Sequence, residues 1–530
     1  MDILKKIKIT AKESINPYLS KESLIFLGII FALLFFAYSP LIHFNYIFHD
    51  DFYFFSSWTK ESCDGYGQFW AYKYNYGRPI GGAIKCFYGM SFDDISGAKY
   101  IRAFNIVLLS IYIFLIFNYI FKLSGSKWFS ILLSASIAFL TSYQTPIAQI
   151  SNAHHIFAAI FALLGLLVSI SYNNKLNYFS PANIAVSIVA YILLVVSVLT
   201  YQPSTMLFWS FLTIYIFFKI NDMSLEKIRN IFYISLPCFV AMLTSFLYLK
   251  AYSNSRGGLV TDLSEKIIWL QKVFPILFSY FDVLPNNFLL YLTLLIFISA
   301  ASICLIKTIA LKDSKELFSA FVKFSSYLGL FVLSIFPLLA AKESVVNHRT
   351  LIAPKTLIVI FFFYALYYVI NFCLKKESFK QLYFIIASIV FVTFGAIKTQ
   401  SNMIHYYAIP SSLEYSFLSR KISSIDFTKE QHYHIIKPKL PYLSKVSFAD
   451  EFGNPSTIFR DDIFNIIVLI ARENNMEVDP KDILSGKYFS SGDGKVIERP
   501  IEFEGHKVQK DSVFINMNDI RGITFRKESK

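Results

Sequence analysis

Stretches of about twenty mostly apolar residues recur through the first 400 positions of this chain, and such a length wound as a helix matches the hydrocarbon core of a bilayer. Within lipid a backbone has to satisfy its own polar groups, so runs of this kind fold as helices packed side by side. Phe is the signature residue, at 56 copies in 530 residues, and the chain is 55% hydrophobic and 18% aromatic. That composition excludes an ordinary soluble protein. The formal charge of +14 would suggest nucleic acid in a soluble chain. Here most Lys and Arg flank apolar runs, where they set orientation and meet anionic headgroups, and no basic cluster has base-reading features.

Lys5, Lys6, Lys8, Lys12 and Lys21 place the N-terminus in the cytoplasm by the positive-inside rule. The first apolar run, 24–44, is too long for a signal peptide and lacks a small-residue cleavage site, so it reads as a retained helix. Helices are predicted at about 22–44, 100–121, 128–145, 155–172, 182–200, 204–219, 230–251, 288–306, 318–341, 350–373 and 381–398. Every inner turn then carries Lys, and the outer loops are 45–99, 252–287 and 342–349. Pieces at 69–74 and 80–88, and a longer one at 263–278, read as helices lying on the membrane surface.

From about Ser401 charged residues, Gly and Pro return to ordinary densities. Strands are predicted at 432–437 and 512–517, and 461–474 has helical periodicity. The fold class is therefore an all-α polytopic membrane protein of about 11 transmembrane helices over residues 1–400, with a small α+β soluble domain over 401–530. Eleven crossings put that domain outside. No phosphate loop, nucleophile elbow or zinc spacing occurs. Cys63 and Cys86 fall in the first outer loop and could pair if it faces an oxidising space, a geometry that sequence does not supply.

Chemistry-bearing residues gather at the outer face. F-H-D-D-F follows the first helix, so Asp50 and Asp51 sit at the membrane surface, where adjacent carboxylates are costly without a task or a cation. Aromatics around them, Trp58 and Tyr76 included, suit either a membrane belt or stacking on sugars. Arg78, in G-R-P, offers a fork suited to phosphate. Arg349 lies in the last outer turn, with Glu343 and His348, and Lys355 near the outer end of helix ten. Gln144, Tyr201 and Gln202 end helices beside Pro, a position that serves termination or substrate contact equally. His154 and His155 fit a sugar, a satisfied interfacial pair, or a divalent metal shared with the two acids. No cofactor is firmly implied. Glu343 suits a bridge to Lys342 or Arg349 as well as a catalytic role.

H-D-D followed by G-R-P, S-Y-Q-T ending helix three, T-Y-Q-P ending helix five and N-H-R before helix ten resemble the GT-C glycosyltransferases. More narrowly, they resemble the glucosyltransferases that modify bacterial O-antigen in serotype conversion, over about residues 20–400. The resemblance implies a multi-pass inner-membrane transferase working on the periplasmic face. The donor it implies is undecaprenyl-phosphate-glucose, supplied by a flippase and a separate cytoplasmic enzyme. The acceptor is a hydroxyl of lipid-linked O-antigen. The family's general base carries over onto Asp50 or Asp51; the basic residue that usually follows the acids is missing here. The C-terminal domain would help choose the acceptor.

The residues call for the same chemistry. A carboxylate takes the proton of the attacking hydroxyl, and cations relieve the charge gathering on the departing lipid phosphate. Asp50 is the expected base, with Asp51 orienting it or binding sugar hydroxyls. Arg78, Arg349 and Lys355 are the expected phosphate ligands. With no clear second acid, a single inverting displacement is expected. Two rivals stand beside this reading. One is a transporter or flippase of lipid-linked saccharides, which would show internal repeats and midplane polar residues. The other is a GT-C transferase with lipid A or protein as acceptor.

Overall fold

The computed structural model describes residues 21–44, 46–48, 51–52, 63, 77–91, 95–171, 180–220, 224–252, 262–283, 287–311, 314–342, 346–425, 433–437, 452, 456, 460–476, 483, 489–492, 502–503, 506–507 and 513–519. Its helices in chain order are α1 (Lys21–Tyr38), α2 (Pro79–Ser91), α3 (Ala98–Ser124), α4 (Lys127–Ala138), α5 (Thr141–Ala148), α6 (His154–Ile170), α7 (Pro181–Thr200) and α8 (Leu207–Lys219). They continue as α9 (Leu225–Tyr252), α10 (Leu263–Leu277), α11 (Asn287–Leu311), α12 (Ser314–Ala340), α13 (Ile352–Cys373), α14 (Glu377–Asn402), α15 (Ile409–Ile422) and α16 (Arg460–Glu473).

Local signals set many of these boundaries. α3 stops at Gly125, whose φ of 68° suits glycine and whose N–H returns to Phe121. Ser180 caps α7 ahead of Pro181. Asp262 caps α10 through Ser264. Leu194 of α7 lies so close to Gly165 of α6 that a Cβ there would meet its side chain at 2.7 Å, so a glycine lets these two helices approach.

Six described helical segments are long and apolar enough to cross a membrane, and the bent pair α4–α5 makes a seventh. Shorter apolar helices lie at Glu22–Tyr38, Asn287–Ile303 and Ser325–Ala340. A helix therefore stands at each of the eleven predicted places, although fewer than eleven meet the length and composition test. Ile184, Ile188, Ile192, Leu243, Leu247, Ile386 and Ile389 point outward, as lipid-facing residues of a membrane-embedded bundle do. Inside, α1 packs on α3 and α14, α6 on α7, and α8 on α12 and α13.

Four predicted boundaries need correction. α1 ends at Tyr38 rather than 44, ahead of a short turn of helix at Pro40–His43, because Pro40 cannot continue the hydrogen-bond ladder. Helix three is two helices meeting at 53°. Helix six begins as a separate turn, Gln202–Thr205, before α8. The helix predicted to end near 398 runs on through a π-helical segment, Met403–Ala408, into α15 and reaches Ile422. Pro410 explains the π segment: proline removes a donor and crowds the carbonyl four residues back, and a widened turn accommodates both.

Beyond α15, β1 (Tyr433–Ile436) lies between β2 (Phe489–Gly492) and β5 (Val513–Asn516) in a parallel three-stranded sheet, with Ile435 opposite Ser491 and Ile515. β3 (Glu502–Phe503) and β4 (His506–Lys507) form a small antiparallel pair. α16 fits the predicted 461–474, and β1 and β5 fit the two predicted strands. This unit does not stand apart. One apolar cluster joins Ile463, Ile467 and Ile435 to Phe417 and Leu418 of α15 and to Phe52, Cys63, Cys86 and Tyr88 of the first loop.

Helices stand at the two predicted places 80–88 and 263–278, as α2 and α10. The piece at 69–74 lies outside the described residues. Cys63 and Cys86 are joined in a disulfide, which ties α2 to the segment following the acids. Replacing both by Ser is expected to cost about 3 kcal/mol, the entropy of closing a loop of this length. Thermal unfolding in detergent measures it, and an unchanged midpoint would show that the link constrains nothing.

Candidate functional site

Three segments distant in sequence meet at the turn Gln149–His155. The first brings Asp51. Its carboxylate is fully buried, and Oδ1 accepts the Ser151 N–H at 2.8 Å. Oδ2 has no hydrogen-bond partner among the described residues and faces the Arg102 guanidinium at 4.0 Å. Burial pushes this carboxyl above the usual range, while Arg102 and the Ser151 N–H pull the other way. Ser151 lies in the single helical turn Ile150–Asn152 that precedes α6.

The second segment brings Arg349, whose Nη1 donates to the Gln149 side-chain oxygen at 3.3 Å. The same oxygen accepts from the Asn152 amide. The third brings Arg78. Its Nε donates to the Gln202 Oε1 at 2.7 Å, and the guanidinium lies 4.6 Å over the Tyr201 ring. That ring is itself stacked on His155, with centroids 3.5 Å apart and planes 9° from parallel. Two groups so near one ring cannot share a face, so Tyr201 is held between cation and imidazole. Nδ1 of His155 has no hydrogen-bond partner among the described residues.

The G-R-P pattern explains how Arg78 is presented. Gly77 has φ of 63°, a conformation that disfavours any side chain. Pro79 then opens α2, where its missing N–H costs nothing. Seven residues on, two helical turns along the same face of α2, Lys85 follows. The charges of Lys85, Arg78 and Arg349 all bear on His154 and His155.

Lys355, expected at the donor phosphate, is placed differently. Its ammonium is fully buried. Its nitrogen lies 2.6 Å from Thr141 Oγ1, 3.0 and 3.1 Å from Ser279 O and Oγ, and 2.7 Å from His348 Nδ1, four acceptors around one donor group. An ammonium has three protons, and these oxygens and the imidazole take them all. Because Nδ1 of His348 accepts, its proton sits on Nε2. Burial, then the nearby ammonium, keeps this imidazole well below its usual pKa, hence neutral. Gln144 is also fully engaged: its amide donates to Phe139 O and Thr399 Oγ1, and its oxygen accepts from Asn402.

The arrangement thus brings together Asp51, His154, His155, Tyr201, Gln202, Arg78 and Arg349, and sets Lys355, His348 and Gln144 deeper as bracing. Asp50, Trp58, Tyr76 and Glu343 lie outside the described residues. Sequence reasoning overlooked Arg102 and Lys85. The signal for Arg102 was present: an arginine within an apolar helix, in Y-I-R-A-F, is rare without a task. Among the described residues no group of three or more His, Cys, Asp and Glu could hold a metal ion.

No family model matches the chain, and no curated protein does. Among solved structures, the archaeal oligosaccharyltransferase AglB from Archaeoglobus fulgidus, in complex with an inhibitory peptide and a dolichol-phosphate, is similar with a TM-score of 0.43 and 11% identity. The match covers 87% of this chain and 69% of that one. A likeness at that level assigns this chain neither a family nor an activity.

Proposed function

We propose that this protein is a glycosyltransferase that moves a glucosyl residue from undecaprenyl phosphate to a hydroxyl of lipid-linked O-antigen at the periplasmic face of the inner membrane. The observation that carries the reading is the convergence on Gln149–His155 of the acid-bearing segment, through Asp51, of Arg349 directly, and of Arg78 by way of Tyr201, which stacks on His155. A base and a phosphate clamp are what this transfer needs. The motifs quoted above supply the donor and the acceptor class.

In this mechanism Asp50 accepts the proton of the acceptor hydroxyl as that oxygen bonds to the anomeric carbon. The bond from that carbon to the phosphate oxygen breaks on the opposite side, inverting the centre. The lipid phosphate leaves with one more negative charge, neutralised by Arg78 and Arg349 in a setting of low dielectric. His154, His155 and Gln202 border the sugar. Asp51 holds the acid segment in place rather than reacting. Lys355, His348 and Gln144 brace the walls. The Cys63–Cys86 disulfide supports an oxidising location for the first loop, and hence the periplasmic orientation.

A transporter of lipid-linked saccharides is less well supported, since the sequence shows no internal repeat and its charged residues are predicted to collect at one face. The test is the O-antigen of cells with and without the protein, analysed by mass and by NMR of the isolated polysaccharide. One added hexose per repeat is expected. An unchanged repeat would overturn the O-antigen acceptor and turn attention to lipid A, protein or lipid-linked intermediates.

A further inference from the structure

Arg102 is a buried cation held by several partners beside this site. It is 1% exposed and sits in the first turns of α3. Its Nε donates to Ala148 O at 3.1 Å, Nη1 to Leu41 O at 3.4 Å, and Nη2 to Tyr46 O at 2.9 Å. Its guanidinium lies 3.8 Å over the Tyr46 ring and 4.0 Å from Asp51. Tyr46 closes the arrangement by donating from its hydroxyl to the same Ala148 carbonyl at 3.3 Å.

These partners have a pattern. Leu41 belongs to the short helix that ends α1's run, and Tyr46 and Asp51 bracket the segment leading through the acid pair. Ala148 is the last residue of α5, directly before the turn where Arg349 and His154 meet. Carbonyls at helix C-termini carry partial negative charge and lack intrahelical donors, so one planar fork satisfies two helix ends and a loop carbonyl at once. Ser151 grips the other end of the segment through Asp51. The chain from 41 to 51 is thereby fastened at both ends to the 148–151 corner.

We propose that Arg102 is a positioning residue of the transfer site: by clamping Leu41, Tyr46, Asp51 and Ala148 together, it fixes the acid-bearing segment against the turn to which Arg349 bonds. The inference rests on the glycosyl-transfer reading. Arg102 acts through Leu41, Tyr46, Asp51 and Ala148 rather than on sugar or phosphate. Misplacing a catalytic group by an ångström is enough to cost about 10²-fold in rate.

The experiment compares the full-length wild type, Arg102→Lys, Arg102→Met and Arg102→Met/Asp51→Asn in detergent, with radiolabelled undecaprenyl-phosphate-glucose as donor. Lysine keeps the charge but not the fork. Arg102→Lys is expected to lower kcat about 10²-fold with the KM for donor changed less than twofold, at a melting temperature near that of the wild type. The double variant is expected to be no slower than Arg102→Met alone, since the pair acts as one unit. A lowered melting temperature with kcat per folded molecule unchanged would overturn the proposal, as would an equal loss through KM. If the wild type itself transfers no sugar, the transfer reading falls and this inference with it; an active wild type with an equally active Arg102→Lys overturns this inference alone.

Discussion

Asp50→Asn is expected to lower sugar transfer by about 10²–10⁴-fold, the range that a positioned general base contributes, while the protein still inserts and folds. Asparagine preserves the size of the side chain and removes only its ability to take a proton. Asp51→Asn separates the two acids. Asp51 is buried, with Oδ1 on the Ser151 N–H and Oδ2 towards Arg102. An amide there leaves Arg102 without its counter-charge, and losing one partner of a buried pair costs about 3–5 kcal/mol. Asp51→Asn should therefore lower the unfolding midpoint, whereas Asp50→Asn should leave it unchanged. Rate assays on purified protein, with unfolding followed alongside, distinguish them. Full activity in Asp50→Asn would sink the assignment of the base.

The second large effect belongs to the arginines. Arg78→Ala and Arg349→Ala are each expected to lower kcat/KM by about 10²–10³-fold, as loss of one donor to a developing oxyanion does. Both variants leave the bracing cluster around Lys355 untouched. Arg349→Lys should recover part of the loss, because lysine keeps the charge without the planar fork. At position 78 the recovery should be smaller, because the guanidinium also covers Tyr201 and bonds to Gln202. Steady-state kinetics over a range of donor concentrations reads both effects. If kcat/KM is unchanged in both alanine variants, the lipid phosphate is held elsewhere.

Much of the architecture was legible along the chain. The apolar runs marked the places of the helices because a backbone in lipid has one economical way to satisfy itself. α16 and the strands β1 and β5 followed from periodicity, since each buries one face. G-R-P announced its own geometry through a glycine at positive φ and a proline at a helix start. What one-dimensional pattern left open was which polar residue meets which. An isolated lysine in an apolar run reads the same whether it faces a ligand or other protein groups. Only the approach of Thr141, Ser279 and His348 makes Lys355 a brace.

The break between α4 and α5 shows the same limit. Pro146 lies inside α5, not at the bend. The bend is held from far along the chain, where Tyr280 O accepts the Thr141 N–H at 3.0 Å, and nearby, where the Gln144 amide reaches Phe139 O. The helix predicted to end near 398 likewise continues to Ile422, and Phe417 and Leu418 in its last turns pack with Ile435, Ile463 and Ile467. Sequence by itself determined the helical membrane character, the positions of the elements and the residue types available at one face. The tertiary structure alone decided that Arg102 bonds to Leu41, Tyr46 and Ala148, that Arg349 meets Gln149 and Arg78 meets Tyr201 and Gln202, and that Lys355 bonds to Thr141, Ser279 and His348. Hydrogen bonds between residues tens to hundreds of positions apart, as most of these are, leave no periodic trace in the sequence that makes them.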